Sequence, residues 1–203
     1  MSVIVAIKEK GKVYFGCDSQ VSNSRSKFTL TNSNNFKIWK MKKFESIAMV
    51  GGVGSLRDIN IIRVESELID ELSFYKDIID FDYVVSRVVP KMFEILAKYE
   101  RLSKDSDCIK YMNSSYLISI KSNIYEIGMD GSVIEVDDYT AIGSGQDIAL
   151  GSLNTSLKLS PKERIIKAIQ ASCKTNLYVN YPIVITSTDS DEVTLIHSDD
   201  IKD

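Results

Sequence analysis

The hydrophobic positions at the start of the chain predict a buried β-hairpin. Residues 3–7 read Val-Ile-Val-Ala-Ile, an apolar and largely β-branched run without alternation. Such a run is typical of a strand that is buried on both faces. A polar turn with Gly11 follows at 9–12, and residues 13–17 resume the strand pattern. We therefore expect two paired strands before any helix.

A second group of strands is predicted in the next part of the chain. Ser, Asn and Thr dominate the region from 19 to 35, which indicates a loop with one strand around 27–30. Apolar residues at 36–41 and 44–50 predict a second hairpin. The glycine-rich stretch at 51–54 is expected to break this pattern before a helix.

Apolar side chains at helical spacing predict a first pair of helices. One helix carries Ile61, Val64, Leu68 and Leu72 on one face. The next begins near residue 80, an aspartate suited to an N-cap, and Pro90 within it is expected to produce a kink.

A second pair of helices is predicted towards the end of the chain. The third helix is expected just after Gly145. The fourth has a clear start signal, because Ser160, Pro161 and Glu163 form a capping box with proline at the first helical position.

The order of strand groups and helix pairs predicts an α+β fold. Strands return at 116–120, 123–127 and 133–136, and two more at 182–186 and 192–196 close the chain. Two antiparallel sheets stacked face to face, with a helix pair on each outer face, form a four-layer αββα sandwich. This is the architecture that we expect.

Composition and charge narrow the function classes. The length suits one domain, and we interpret residues 1–203 as a single domain. Lys and Arg total 25 against 28 Asp and Glu, a net charge of −3, which gives no electrostatic reason to expect nucleic acid or a membrane surface as partner. The opening apolar run is too short for a secretory signal, and no later run approaches a membrane span, so we predict a cytoplasmic protein.

The cysteine and histidine content argues against several kinds of active site. Cys17, Cys108 and Cys173 cannot all pair within one chain, and their spacing fits no metal-ligand pattern, which favours reduced thiols. His197 is the only histidine, so a Ser-His-Asp triad would depend on a residue close to the C-terminus. We predict no metal and no other cofactor.

Five segments, in order along the chain, match the pattern of a known family. The first spans residues 4–20 and contains Gly-Cys-Asp-Ser-Gln at its end. It is followed by Lys37-Ile38, by Gly51 with Gly54, by the Gly-Ser-Gly segment at 143–145, and by the helix and strand that begin at Ser160. Together they resemble proteasome β subunits and the bacterial peptidase HslV, over nearly the whole chain. The resemblance implies the N-terminal-nucleophile (Ntn) hydrolase fold.

The resemblance also implies an active site at the start of the chain. Members of the family cleave peptide bonds with the side chain of the first residue of the processed chain. Removal of Met1 would therefore make Ser2 the nucleophile, with its own α-amino group as the base. Lys37 corresponds to the family's essential lysine, and Asp18 to the carboxylate that pairs with it.

Two further segments complete the implied catalytic set. Gly51 corresponds to the position of the family's oxyanion-hole N–H. Ser144 corresponds to a serine that forms hydrogen bonds near the nucleophile's amine. From the residues alone, Ser144 is equally well a helix N-cap and Gly51 a strand-to-helix break. The absence of the lysine that a phosphate loop carries argues against such a loop at 51–55.

The same resemblance implies a substrate pocket and shows two departures from the family pattern. The pocket for the residue before the scissile bond would be lined by Val21, Asn35, Met49 and Val53, of which the last two suggest an apolar preference. Many proteasome subunits have an Asp and a Ser near the end of the fourth helix. This chain has Asn176 and Val179 there, which removes a charge and a hydroxyl that would tune the amine.

The sequence therefore predicts a proteasome-type endopeptidase subunit that acts on peptides or unfolded proteins. By analogy with its relatives we expect a homo-oligomeric ring, with an ATPase unfoldase as partner. A catalytically inactive ring or scaffold protein of the same fold is the alternative, which the departures and the serine at position 2 favour. Another amidohydrolase on this fold, acting on a small amide, is the third interpretation.

Overall fold

The computed structural model of the protein describes residues 2–23, 25–41, 48–65 and 79–201. Its strands are β1 Val3–Glu9, β2 Lys12–Cys17, β3 Gln20–Ser22, β4 Lys27–Thr29, β5 Ile38–Lys40, β6 Ala48–Gly54, β7 Ser103–Lys104, β8 Lys110–Tyr111, β9 Ser114–Ile120, β10 Asn123–Ile127, β11 Val133–Val136, β12 Tyr139–Gly143, β13 Ile183–Ser187 and β14 Ser190–Ile196. Its helices are α1 Leu56–Val64, α2 (Phe81–Tyr83, a π-helical turn Val84–Val88, and Val89–Lys98), α3 Gln146–Thr155 and α4 Pro161–Thr175.

Two five-stranded sheets form the centre of the molecule. The first has the order β12-β1-β2-β13-β14 and the second the order β11-β10-β9-β6-β5, with every neighbouring pair antiparallel. The opening hairpin is as predicted, since Lys10 and Gly11 form its turn with positive φ angles of 51° and 75°. Short ribbons pair β3 with β4 and β7 with β8.

Strand β1 shows how the first sheet is buried on both faces. Val3, Val5 and Ile7 point into a cluster with residues of α3 and α4, such as Leu153 and Ile169. The alternate residues point the other way, into a cluster shared between the two sheets that contains Ile4, Ala6, Phe15, Met49, Leu117 and Ile142. The continuous apolar run at 3–7 exists because neither face of this strand meets water.

The outer face of the second sheet is covered by α1 and α2. Their buried side chains, among them Ile59, Ile62 and Met92, pack with Tyr116 and Ile118 of β9. With the helices α3 and α4 on the first sheet, this gives the order helices, sheet, sheet, helices. The predicted four-layer αββα sandwich is confirmed.

The expected end of the strand pattern at the glycines is wrong. Strand β6 continues through Gly54 and pairs with β9 over its whole length. A Cβ atom on Gly51 would lie 3.1 Å from Ile4 of the facing sheet, and one on Gly52 would lie 2.9 Å from Ile59. The glycines therefore allow close packing on both faces of a strand, a role that the sequence pattern does not reveal.

The helices follow the predicted start signals, with one change near Pro90. The Asp80 side chain accepts a hydrogen bond from the Tyr83 N–H, and the Ser160–Glu163 capping box is formed. Before Pro90 the helix widens into the π-helical turn Val84–Val88, because proline has no N–H to continue the ladder. Predicted positions Leu68 and Leu72, and 44–47 of the second hairpin, lie outside the described residues.

Two features of the fold bear on the earlier expectations. Strand β12 was absent from the predicted elements, although it forms one edge of the first sheet beside β1. Among the described helices, none combines the length and apolar character that crossing a membrane requires.

Candidate active site

Ser2 lies at the entrance of β1, where its carbonyl group faces the Gly-Ser-Gly segment. It is a buried residue. Its carbonyl oxygen accepts hydrogen bonds from the Gly145 N–H at 3.3 Å and from the Ser144 hydroxyl at 3.4 Å. The structure places Ser144 beside Ser2, with its contact made to the Ser2 carbonyl, and its role near the amine stays a prediction.

The other side of the same peptide unit is held by Asp18. The Val3 N–H donates to Asp18 Oδ1 at 3.0 Å, and the Asp18 N–H donates back to the Val3 carbonyl at 3.3 Å. The peptide between Ser2 and Val3 is thus bonded at its carbonyl from one side and at its N–H from the other. Its orientation, and with it that of the Ser2 α-carbon, is fixed by both contacts.

Lys37 and Asp18 form a buried ion pair. Lys37 Nζ lies 2.6 Å from Asp18 Oδ1 and 2.6 Å from the Gln20 carbonyl oxygen, and the two side chains are only 3% and 0% exposed. Two of the three ammonium N–H donors are thus engaged among the described residues. Asp18 Oδ2 accepts from the backbone N–H groups of Gln20 at 3.0 Å and Asn180 at 3.4 Å.

These hydrogen bonds explain how the charged pair of Asp18 and Lys37 is tolerated in the core. A buried ion pair is retained at acceptable cost only when its remaining hydrogen-bonding capacity is used. Asp18 receives four hydrogen bonds from four residues, and the ammonium adds a carbonyl contact. The structure brings together Ser2, Asp18 and Lys37 through the backbone of Val3, from positions up to 35 residues apart in sequence.

The Gly-Ser-Gly segment depends on glycine at its first position. Gly143 has a φ angle of 101°, and a Cβ atom there would lie 2.3 Å from the Ser2 carbonyl oxygen. Close approach of this segment to Ser2 is therefore possible only without a side chain. The same hypothetical atom would lie 3.2 Å from Val53, one of the predicted pocket residues.

The C-terminal turn of α4 supports this segment from behind. The Ser172 hydroxyl donates to the Gly145 carbonyl at 3.0 Å, and Asn176 Nδ2 donates to the Ser144 carbonyl at 2.6 Å. Sequence reasoning named Asn176 only as a departure from the family and did not find Ser172. A serine inside an amphipathic helix carries no signal that distinguishes it from an ordinary helix residue.

The register of β6 bears on the predicted oxyanion donor. The Gly52 N–H donates to the Lys37 carbonyl at 3.0 Å, and the Ser55 N–H donates to the Asn113 carbonyl at 3.0 Å. Because successive N–H groups of a strand point to opposite neighbours, the Gly51 N–H faces Leu117 of β9. The role of Gly51 as oxyanion donor stays a prediction, and the Gly52 N–H, on the β5 side, is already bonded to the Lys37 carbonyl.

The predicted pocket residues lie in different surroundings. Val53 is buried beside the Gly143 position, as described above. Met49 is fully buried in the cluster between the sheets, so it presents no surface to a ligand in this conformation. Val21 pairs with Phe28 in a two-stranded ribbon, and Asn35 is exposed in a 3₁₀ turn. Their role in binding substrate stays a prediction.

Two cysteines near the ion pair have pKa values that are raised by burial. Burial raises the pKa of the Cys17 thiol from its ordinary 9.0 to about 12, an effect that Lys37 opposes. Burial also raises the pKa of Cys173 to about 12, with a further contribution from Asp18. Both thiols are unbridged. Neither is suited to act as a nucleophile, because the thiolate is the reactive form.

Two other kinds of site considered from the sequence can be compared with the described residues. Across the described ranges, no group of three or more His, Cys, Asp and Glu side chains is arranged to hold a metal ion. His197 is exposed after β14, where its backbone N–H donates to Asp200.

Known structures share this fold. The chain matches BPH of Thiobacillus denitrificans, solved in complex with epoxomicin, at 17% identity with a TM-score of 0.67, covering 96% of this chain and 98% of the other. It matches a eukaryotic HslV from Trypanosoma brucei at 18% identity and a TM-score of 0.62, covering 91% and 98%. A Gly-1 mutant of Anbu from Hyphomicrobium sp. strain MC1 aligns at 14% identity and a TM-score of 0.69, covering 98% and 89%.

A family model assigns the chain more directly than these distant likenesses do. The model of the proteasome subunit family matches residues 2–185, which is most of the sequence and begins at Ser2. The expected relationship to proteasome and HslV-like Ntn hydrolases is confirmed. The chain belongs to the proteasome subunit family.

Proposed function

We propose that this protein is a proteasome-type endopeptidase subunit whose nucleophile is Ser2, exposed by removal of Met1. One observation carries the proposal: the peptide between Ser2 and Val3 is held on one side by the buried Asp18–Lys37 pair and on the other by residues 144–145. A buried charge pair is costly to build, and perturbed charged groups of this kind cluster at functional sites.

The proposed reaction uses two atoms of one residue. A free α-amino group has a pKa of about 7.7–8.0, close to working pH, and so acts well as a general base. It takes the proton of the Ser2 hydroxyl while the oxygen attacks the carbonyl carbon of the scissile bond. The amine then gives that proton to the leaving nitrogen, and an ester to Ser2 remains.

The second half of the reaction returns the enzyme to its starting state. A water molecule gives a proton to the same amine and attacks the ester, and the proton then returns to the Ser2 oxygen. The Lys37 ammonium favours the deprotonated forms of the amine and the hydroxyl by its charge, and Asp18 holds the ammonium in place. From the family pattern, the N–H at Gly51 is the proposed oxyanion donor, a role that requires it to leave its neighbour Leu117 of β9.

The comparisons support this proposal at the level of the family. BPH of Thiobacillus denitrificans, which shares this fold, has been solved in complex with epoxomicin, and the proteasome subunit family model matches residues 2–185 of this chain. From family membership we further propose a homo-oligomeric ring in the cytoplasm, peptides or unfolded proteins as substrates, and an ATPase unfoldase as partner.

The proposal is tested by intact mass and peptide turnover on the same preparations. Protein lacking Met1 should cleave fluorogenic peptides, Ser2→Ala should not, and Ser2→Thr should retain turnover because it keeps the hydroxyl. Ser2→Ala is a matched control, since a small residue at position 2 leaves removal of Met1 unchanged.

The inert scaffold is the competing function, and Asn176 and Val179 favour it. Val179 is buried in the helix-facing core rather than offering a hydroxyl to the site. Retention of Met1 in the native protein, or a Met1-free protein without turnover on any peptide, would support the scaffold and reject the peptidase.

A further inference from the structure

Asn176 makes two hydrogen bonds of opposite sense just beyond the end of α4. Its Oδ1 accepts from the Tyr178 N–H at 2.9 Å, and its Nδ2 donates to the Ser144 carbonyl at 2.6 Å. One partner is a donor and the other an acceptor. A side-chain amide satisfies both, because it carries an acceptor oxygen and two N–H donors.

A carboxylate of the same shape cannot make this pair of contacts. An ionised aspartate accepts hydrogen bonds only. It would keep the bond from the Tyr178 N–H but turn its second oxygen towards the Ser144 carbonyl oxygen at the distance of a hydrogen bond. The contact would become repulsive, and the Ser144 carbonyl would lose its donor.

The Ser144 carbonyl belongs to the segment that holds Ser2. The next N–H, that of Gly145, donates to the Ser2 carbonyl, and the Ser144 hydroxyl does the same. The Gly145 carbonyl is in turn held by the buried Ser172 hydroxyl, one helical turn before Asn176. Ser172 and Asn176, at the end of α4, therefore hold the carbonyls of Gly145 and Ser144. These are the two residues whose N–H and hydroxyl donate to the Ser2 carbonyl.

We infer that Asn176 is a positioning residue for Ser2 and that its amide, rather than a carboxylate, is the group this site requires. The inference rests on the proposed function for its catalytic consequence. It reverses the sequence expectation that Asn176 is a weakened form of the family's aspartate. In this chain the amide has its own task, which is to orient the Ser144–Gly145 segment.

The test compares Asn176→Asp, Asn176→Ala and Thr175→Ala. Thr175 is the matched control, because it is exposed, lies next to Asn176 in the sequence, and within the described residues its hydroxyl donates to the Ala171 carbonyl of its own helix. We expect kcat for peptide cleavage to fall about 10- to 100-fold in Asn176→Asp, as misplacement of a reacting group does. The fall should be smaller in Asn176→Ala, which loses the donor without adding repulsion, and KM should change little in both.

A second readout works even in a protein without turnover. Hydrogen exchange of the Gly145 amide, measured by NMR, reports whether its bond to the Ser2 carbonyl persists. We expect Gly145 to exchange faster in Asn176→Asp than in Asn176→Ala, with no change in Thr175→Ala.

The two readouts separate the failure of this inference from that of the proposed function. Unchanged Gly145 exchange in Asn176→Asp overturns the inference, as does turnover equal to or above wild type in that variant. If the wild-type protein shows no turnover, the peptidase is rejected. If Gly145 exchange still rises across the variants in the expected order, the positioning role of Asn176 is retained.

Discussion

The two sides of the peptide between Ser2 and Val3 are held by different chemistry. On one side Asp18 and Lys37 form a charged, fully buried pair that receives the Val3 N–H. On the other side neutral groups of residues 143–145, backed by the end of α4, reach the Ser2 carbonyl through longer bonds of 3.3–3.4 Å. Burial of the charged pair costs desolvation free energy, whereas the neutral side uses hydrogen bonds alone.

This difference indicates that the two sides have different roles, one in setting proton affinity and the other in setting geometry. A buried charge changes the proton affinity of its neighbours strongly, because the surrounding medium screens it little. Neutral hydrogen bonds contribute about 0.5–1.5 kcal/mol each and mainly fix geometry. We therefore expect substitutions on the charged side to affect both stability and catalysis severely, and substitutions on the neutral side to act through position.

The largest effect is expected for Lys37→Met. This change leaves Asp18 as an unpaired buried charge, which should lower the free energy of unfolding by about 3–5 kcal/mol. Loss of the ammonium should also reduce peptide turnover by about 10²–10⁴-fold. Urea denaturation and steady-state kinetics measure the two effects.

Lys40→Met is the control for that experiment. Lys40 Nζ pairs with Asp191, which is 98% exposed, and also donates to the Ser190 carbonyl. An ion pair with so exposed a partner contributes about 1 kcal/mol or less. If Lys37→Met proved no more damaging than Lys40→Met, the charged side would have no special role and the comparison would fail.

An intermediate effect is expected for Gly143→Ala on the neutral side. The new Cβ atom would lie 2.3 Å from the Ser2 carbonyl oxygen and the residue would keep a φ of 101°, so the segment must move away from Ser2. We expect a loss of stability of about 1–3 kcal/mol and a clear loss of turnover. Thermal unfolding and kinetics measure them.

Gly11→Ala separates backbone strain from the contact with Ser2. Gly11 also has a positive φ, of 75°, but a Cβ atom there would meet nothing within 4 Å. It should cost about 1–2 kcal/mol of stability and leave turnover unchanged. Equal turnover in the two variants would show that residues 143–145 do not position Ser2.

The smallest effect at neutral pH concerns the burial of the charged side, because it appears only in the pH dependence of stability above pH 9. The pKa of Cys17 is raised in the folded protein to about 12, so the native thiol keeps its proton where the unfolded one, at 9.0, loses it. Its stabilising contribution is complete below pH 9 and is lost as pH rises towards 12, with a slope of up to about 1.4 kcal/mol per pH unit.

Cys17→Ala isolates this contribution from other groups that titrate at high pH. The decline in unfolding free energy above pH 9 should be less steep in the variant than in wild type, whatever the offset between the two curves. Identical slopes would mean that water reaches the thiol and the neighbouring ion pair.

Much of the fold could be predicted from sequence because local signals agreed with the global structure. The apolar run of β1, the turn at Gly11 and the capping box at Ser160 each determine one element through short-range physics. The glycines of β6 were misjudged because their role is to admit Ile4 and Ile59 from other elements, which is a tertiary effect.

The candidate site likewise contains residues that the sequence predicted and contacts that it did not reveal. Ser2, Asp18, Lys37 and Ser144 were predicted through the family pattern. The structure connects them through the peptide between Ser2 and Val3, whose N–H donates to Asp18 and whose carbonyl accepts from Ser144. The contacts of Ser172 and the dual bonding of Asn176 were beyond reach of sequence. They depend on which carbonyl the end of α4 faces, and residue type does not encode that.

The measurement that tests the central claim most directly is top-down mass spectrometry of the protein after reaction with an epoxyketone. The account predicts one adduct, located at Ser2, on chains that lack Met1, and none on Ser2→Ala. An adduct located on any other residue, or no adduct on chains already free of Met1, would contradict it.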